Sequence, residues 1–183
     1  MKSAFSTLMI AAGFSGLVIG GIHLLTKSRI DDNQQAYAAQ VLKTVIPRNE
    51  IELTLQPKPI PYYTIHEAGR FIGVLLGIST EQGYNGRIEA WLAVGLEHEV
   101  LGVQTTFHQE TPGLGDFINP RAQWHRQFLG KLLGEARFDL RQDGGDFDGV
   151  TGATVTSRAY TRMIQAGLDH PAMTDLAQEK DSD

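Results

Sequence analysis

Residues 143–160 read DGGDFDGVTGATVTSRAY. Acidic and glycine residues come first, small hydroxylated residues follow, and a helical pattern then begins. Glycine and aspartate favour turns. By contrast, SRAYTRMIQAGLDH (157–170) can line Ala159, Met163, Ile164 and Ala166 along one side of a helix that Pro171 ends. The stretch therefore predicts a loop feeding a helix N-terminus, with Thr156 or Ser157 as a good capping residue. The first N–H groups of such a helix have no partner within it, and its dipole favours an anion there. The four hydroxyls of Thr151, Thr154, Thr156 and Ser157 exceed what one cap needs, which points to a phosphate-bearing ligand. A plain capping sequence is the alternative. No lysine follows the glycine in the P-loop manner, so this is not a nucleotide triphosphate loop of that kind.

Upstream, the pattern turns from helical to extended. GRFIGVLLGI (69–78) is apolar and β-compatible, and GYNGRIEAWLAVGL (83–96) opens with a glycine-flanked turn before a second strand. VLGVQTTFHQE (100–110) alternates, with Leu101, Val103, Thr105 and Phe107 on one face and Gly102, Gln104, Thr106 and His108 on the other. These three predict an antiparallel meander. WHRQFLGKLL (124–133) has helical spacing at Trp124, Phe128 and Leu132, and ARFDLR (136–141) reads as a short strand. Trp91 and Trp124 are expected in the core. The strand ending near residue 110 runs into HQETPGLGD (108–116), where Pro112 fixes φ and Gly113 and Gly115 let a ligand approach the backbone. A surface turn is the competing reading. His108 and Glu110 share one strand face, but two ligands do not make a metal site. A Thr or Ser nucleophile with His108 as base is a second alternative chemistry.

The 183 residues suit one domain and an appendage. Net charge is −5 and no Lys/Arg stripe occurs, which argues against a nucleic-acid partner. With no cysteine there is no disulfide, thiolate metal site or thiol nucleophile, so any redox chemistry must come from a borrowed cofactor. From Ser3 to Thr26 no Asp, Glu, Lys or Arg occurs. As a helix this run would span ~36 Å, enough for a hydrocarbon core of about 30 Å. It ends without a small-x-small cleavage site, so residues 1–29 are expected to be a retained transmembrane anchor rather than a signal peptide. Ala12, Gly16 and Gly20 form a small-residue stripe on which another helix could pack. His23 is expected at the membrane interface. Flanking basic residues slightly favour a cytoplasmic main domain. Residues 30–61 read as a connecting helix (30–46) stopped by Pro47, then a linker with Pro57, Pro59 and Pro61. Residues 174–183 form an acidic tail.

DGVTGATVTS (148–157) resembles the flavinylation motif of FMN-binding domains, with Asp148, Thr151, Gly152, Ala153 and Thr154 in the matching places. HQETPGLGD resembles that family's other signature. With the anchor, GYNG (83–86) and DGGDFD (143–148), the chain is similar to the G subunit of Rnf-type electron transport complexes, called Rsx in some bacteria. The C subunit of the sodium-pumping NADH:quinone reductase shares both motifs but is typically longer. The resemblance implies an α+β fold: one transmembrane helix, then an FMN-binding domain (62–173) with an antiparallel sheet and flanking helices. It implies FMN held covalently through a phosphoester on Thr154, installed by a separate flavin transferase. Glu110, Thr111, Gly113, Leu114 and Gly115 would lie against the isoalloxazine, and Asp148, Thr151, Gly152, Ala153 and Thr156 complete the implied site. Asp146 and Asp148 would disfavour an anionic reduced flavin if they approach the ring. The implied role is an electron relay among the other membrane subunits of an ion-translocating complex. The implied location is the bacterial inner membrane with the domain on the periplasmic side, against the charge count. A stand-alone extracytoplasmic covalent-FMN reductase is the alternative.

Overall fold

The computed structural model describes residues 51–56, 61–120 and 122–171, together with Met9, Gly13, residues 15–18 and Ile46. Met9, Gly13 and residues 15–18 are helical. The rest of the expected anchor, the connecting helix 30–46 apart from Ile46, His23 and the acidic tail lie outside the described residues. Among the described residues no helix is long and apolar enough to cross a membrane. The chain divides into two units, Met1–Ala38 and Ala39–Asp183; the account below concerns the second.

Its frame is a five-stranded antiparallel meander in the order β1 (Ile51–Gln56), β2 (Tyr62–Glu67), β3 (Arg70–Gly83), β4 (Gly86–Gly95) and β5 (Val100–His108). Each strand pairs with the next in sequence, so short turns suffice. Ala68 and Gly69 join β2 to β3 with φ of 50° and 77°, the doubly left-handed turn that matches strand twist. Tyr84 and Asn85 join β3 to β4, where the glycine-flanked turn was expected. β1 and β2 carry no early sequence signal, and β1 falls within the span read as linker.

One α-helix, α1 (Thr154–Leu168), packs on β3 and β4. Ala159, Tyr160, Met163, Ile164, Gly167 and Leu168 are its buried apolar contacts, and they meet Ile78, Leu92 and Val103 in the main core. The helix comes so close to the sheet that a Cβ at Gly167 would lie 2.6 Å from Leu92 Cδ2 and 2.9 Å from Ile78 Cγ2. Ala166, expected on the inner side, is exposed. Counting inward from Tyr160 at 3.6 residues per turn selects Met163, Ile164 and Gly167 instead. Trp124 packs edge-on to Tyr160 with ring centroids 5.6 Å apart, and Trp91 meets Tyr63 at 5.7 Å across the sheet.

Other local expectations are corrected. β5 does not alternate cleanly: its pairing with β4 shifts between Glu89 and Ala90 and between Ala93 and Val94. Each bulge moves the following residues to the opposite face. Val100, Val103 and Thr105 are therefore buried while Phe107 is 42% exposed. Residues 124–133 form a short 3-10 turn, Trp124–Phe128, rather than a longer helix. Gly130 follows with φ of 69°, which ends any helical run. Residues 136–141 make only isolated bridges, Leu133 to Ala136 and Leu140 to Phe147.

Candidate functional site

Three segments distant in sequence meet beside the start of α1. They are the β3–β4 turn, the loop that follows β5, and the 151–156 loop. Tyr84, Glu110, Thr111, Leu114, Gly152, Ala153, Thr154, Val155 and Thr156 line a cleft of about 510 Å³, within the ~300–1,000 Å³ range of small-molecule sites. Tyr84, Leu114 and Val155 are large apolar side chains left 70%, 51% and 45% exposed. Three such residues on one cleft make a surface suited to a flat apolar ring.

The helix begins earlier than the capping argument expected. Ala153 is the N-cap residue, and no side chain caps the first turn. Thr156 and Ser157 are already within the helix, because their hydroxyls have other partners. Thr156 Oγ1 donates to Glu110 Oε2 at 2.6 Å. Ser157 Oγ donates to the Ala153 carbonyl at 2.9 Å and accepts from the Val150 N–H at 3.1 Å. Both residues are buried. The hydroxyls of Thr151 and Thr154 have no hydrogen-bond partner among the described residues. Thr154 lines the cleft, whereas Thr151 is exposed beside it. Four hydroxyls therefore sort into two that brace the loop, one in solvent and one facing the cleft beside uncapped N–H groups. That pairing of an alcohol with a local anion site suits a phosphoester.

Glu110 is the buried polar centre, 6% exposed. Besides Thr156, the Asn85 N–H donates to its Oε1 at 3.3 Å. Asn85 Nδ2 in turn donates to the Gln109 carbonyl and to Thr111 Oγ1, each at 3.0 Å, which fastens the β3–β4 turn to the loop after β5. That loop is folded on itself: the Leu114 and Gly115 N–H groups donate to the Thr111 carbonyl, and the Gly113 N–H donates to Asp116 Oδ2. Gly113 has φ of 83°, which disfavours other residues. Gly115 is buried, and a Cβ there would collide with the Glu110 side chain.

His108 has both ring nitrogens engaged. Nδ1 accepts from the Glu110 N–H at 3.3 Å, so Nε2 carries the proton and donates to Asn119 Oδ1 at 2.7 Å. It is a loop fastener, and the structure gives no support to its use as a base for a threonine nucleophile. Asp148 and Asp146 do not line the cleft. Asp148 Oδ1 pairs with Arg141 Nε at 3.0 Å, and its main chain is held by Trp124 and Gln127. Asp146 accepts from the Arg137 N–H at 2.7 Å. Behind them the Arg158 guanidinium on α1 grips Asp143 and holds its carboxyl below the usual carboxylate range. The acidic stretch thus ties the loop to the helix. Of the residues singled out from sequence, Glu110, Thr111, Leu114, Gly152, Ala153, Thr154 and Thr156 come together in the cleft wall. Gly113 and Gly115 shape the loop, while Thr151 and Asp148 flank it. Tyr84 and Val155 were missed; the glycine pair around Tyr84 was the one local signal for the former.

Residues 83–169 match the FMN-binding domain family, a span that opens at the β3–β4 turn and closes just after α1. The G subunit of the ion-translocating oxidoreductase complex of Shewanella baltica is 36% identical over 183 residues, covering 90% of this chain and 86% of the relative. That of Vibrio atlanticus is 33% identical over 187 residues, covering 92% and 88%. Among solved structures, Shewanella oneidensis NqrC shares the fold with a TM-score of 0.51 and 22% identity, over 69% of this chain and 67% of that one.

Proposed function

We propose a function on the premise that this chain belongs to the family of G subunits of ion-translocating oxidoreductase complexes and carries an FMN-binding domain over residues 83–169. It is a membrane-anchored flavoprotein subunit that holds FMN covalently on Thr154 and relays electrons within such a complex. One observation carries the reading: Thr154, on the first turn of α1, presents an aliphatic hydroxyl to the cleft without a partner among the described residues, beside the uncapped N–H groups of that turn.

The cleft fits this group. When bound, FMN supplies the redox chemistry, and the protein supplies position and electrostatics. Thr154 Oγ1 would hold FMN through a phosphoester, its hydrogen and one hydroxyl of the phosphate being lost formally as water. The resulting phosphodiester keeps one negative charge, which the uncapped first turn of α1 stabilises by about 0.3–1 kcal/mol. Gly152 has φ of 82° and leaves the loop low beside Leu114. Tyr84, Leu114 and Val155 offer apolar surface to the ring, and Thr111 offers a hydroxyl at its edge. Ser157 holds the 150–153 turn against the helix, so that the attachment oxygen keeps its direction.

The apolar run Ser3–Thr26 anchors the subunit in the inner membrane beside the other subunits of the complex, with the domain on the periplasmic side. A flavin transferase completes maturation. A tether suits that compartment, where a dissociated flavin is lost. The test is intact-mass measurement of the full chain co-expressed with a flavin transferase. The expected product carries the mass of FMN less water on the peptide containing Thr154, and its fluorescence survives denaturation. Thr154→Ala abolishes both. Retention of the full adduct in Thr154→Ala would overturn the assignment.

A further inference from the structure

Glu110 is the one Asp, Glu, Lys, Arg or His in the cleft wall, whose other residues are Tyr84, Thr111, Leu114, Gly152, Ala153, Thr154, Val155 and Thr156. Glu110 is buried, and among the described residues no Lys, Arg or His forms an ion pair with it. Two neutral donors hold it instead, the Thr156 hydroxyl and the Asn85 N–H. A carboxylate in such a place is screened weakly and acts at longer range than a surface charge.

Its position is also rigid. A Cβ at Gly83 would lie 2.5 Å from Glu110 Oε1, and a Cβ at Gly115 would strike the Glu110 Cβ. Gly83 at the end of β3, where a Cβ would also meet the Gly86 carbonyl, and Gly115 in the loop after β5 thus both leave room for this side chain. Of the other acidic residues nearby, Asp148 pairs with Arg141, Asp146 accepts from the Arg137 N–H, and Asp116 is exposed and accepts from the Gly113 N–H. The role considered from sequence for Asp146 and Asp148, repelling electrons added to the ring, falls instead to Glu110, which lines the cleft as they do not.

We infer that the buried Glu110 carboxylate sets the reduction potential of the flavin in this cleft, by presenting an unpaired negative charge that opposes reduction. The inference rests on the proposed FMN site and adds to it the identity of the tuning group. Added electrons raise the negative charge near a fixed anion, so the potential is lower with Glu110 than with a neutral isostere. Glutamine has the same length, keeps an acceptor for Thr156, and removes the charge. Aspartate keeps the charge and alters the shape.

The experiment uses the full chain in detergent, loaded by co-expression with a flavin transferase. Adduct mass is verified for each protein before spectroelectrochemical titration. In Glu110→Gln the equilibrium is expected to favour the reduced flavin at least tenfold more than in the parent, a rise of about 30 mV for a two-electron couple. Glu110→Asp is expected to stay near the parent value. An unmoved potential in Glu110→Gln overturns the inference, as does an equal rise in Glu110→Asp, which would assign the effect to shape. If Glu110→Gln does not load, Glu110→Met takes its place: a raised potential supports the inference and an unmoved one overturns it. Absence of flavin from the parent protein itself would remove the site reading and this inference with it, an outcome visible in the mass before any titration.

Discussion

Among the contacts between α1 and the sheet is a hydroxyl pair, and breaking it has consequences that can be worked out in advance. Tyr160 is fully buried, and its phenol lies 2.9 Å from Thr105 Oγ1 on β5. Tyr160→Phe removes one partner and leaves the Thr105 hydroxyl, itself 2% exposed, with none. A buried polar group in that condition costs about 1–3 kcal/mol. Adding Thr105→Val removes the orphan, so the double variant is expected to recover much of the loss. The same residue gives an alkaline signature. Burial pushes the Tyr160 phenol well above its ordinary value, and the Thr105 bond offsets this in part. The folded state therefore keeps a proton that the unfolded chain releases above pH ~10. Stability from this group is complete below that pH and declines as pH rises, by about 1.4 kcal/mol at pH 11. Urea unfolding of the full chain in mild detergent, followed by tryptophan fluorescence, measures both effects. Trp124 packs on Tyr160 and so reports helix docking. Equal pH slopes for parent and Tyr160→Phe between pH 9 and 11 would refute the reasoning.

Two further outcomes follow from the same core. Gly167→Ala gains about 1 kcal/mol of helix propensity but drives a methyl into Leu92 and Ile78, an overpacking cost of about 1–3 kcal/mol. A net loss is expected as a lower urea midpoint, and a more stable variant would show that the two side chains yield. On the acid side, burial lowers the His125 pKa, and Arg126 adds to this while the Pro120 and Ala122 carbonyls act against it. The unfolded chain then binds a proton first, so stability falls as pH drops below ~6.5. His125→Leu should flatten the dependence of Tm on pH between 7 and 5, and an unchanged slope would exclude His125 as its source.

What the sequence made legible was local in origin. The turn at Tyr84–Asn85 announced itself through Gly83 and Gly86. The 151–156 loop announced itself through its hydroxyls, and the helix after it through its spacing. The start of that helix was misread by a few residues because a capping hydroxyl was sought nearby. The partner of Thr156 is Glu110, 46 residues upstream, and no local pattern reveals such a bond. The β5 faces were misassigned for a related reason, since bulges opposite Glu89 and Ala93 depend on the neighbouring strand. Tyr84 and Val155 look like a turn residue and an ordinary helix residue until the chain folds. Their exposure on one cleft follows from the meander bringing the β3–β4 turn and the end of β5 to the same edge, and from the start of α1 packing beside it.

Order of assembly gives this arrangement a consequence for biosynthesis. The cleft draws on residues from Tyr84 to Thr156, and α1 seats through contacts that extend to Leu168. During synthesis the meander can pair strand by strand as it emerges, but the far wall of the cleft has no scaffold until the last helix lies down. A truncated chain that stops before α1 therefore displays the sheet without the far wall of the cleft. A ligand that needs both walls of the cleft would then report that the final helix is in place.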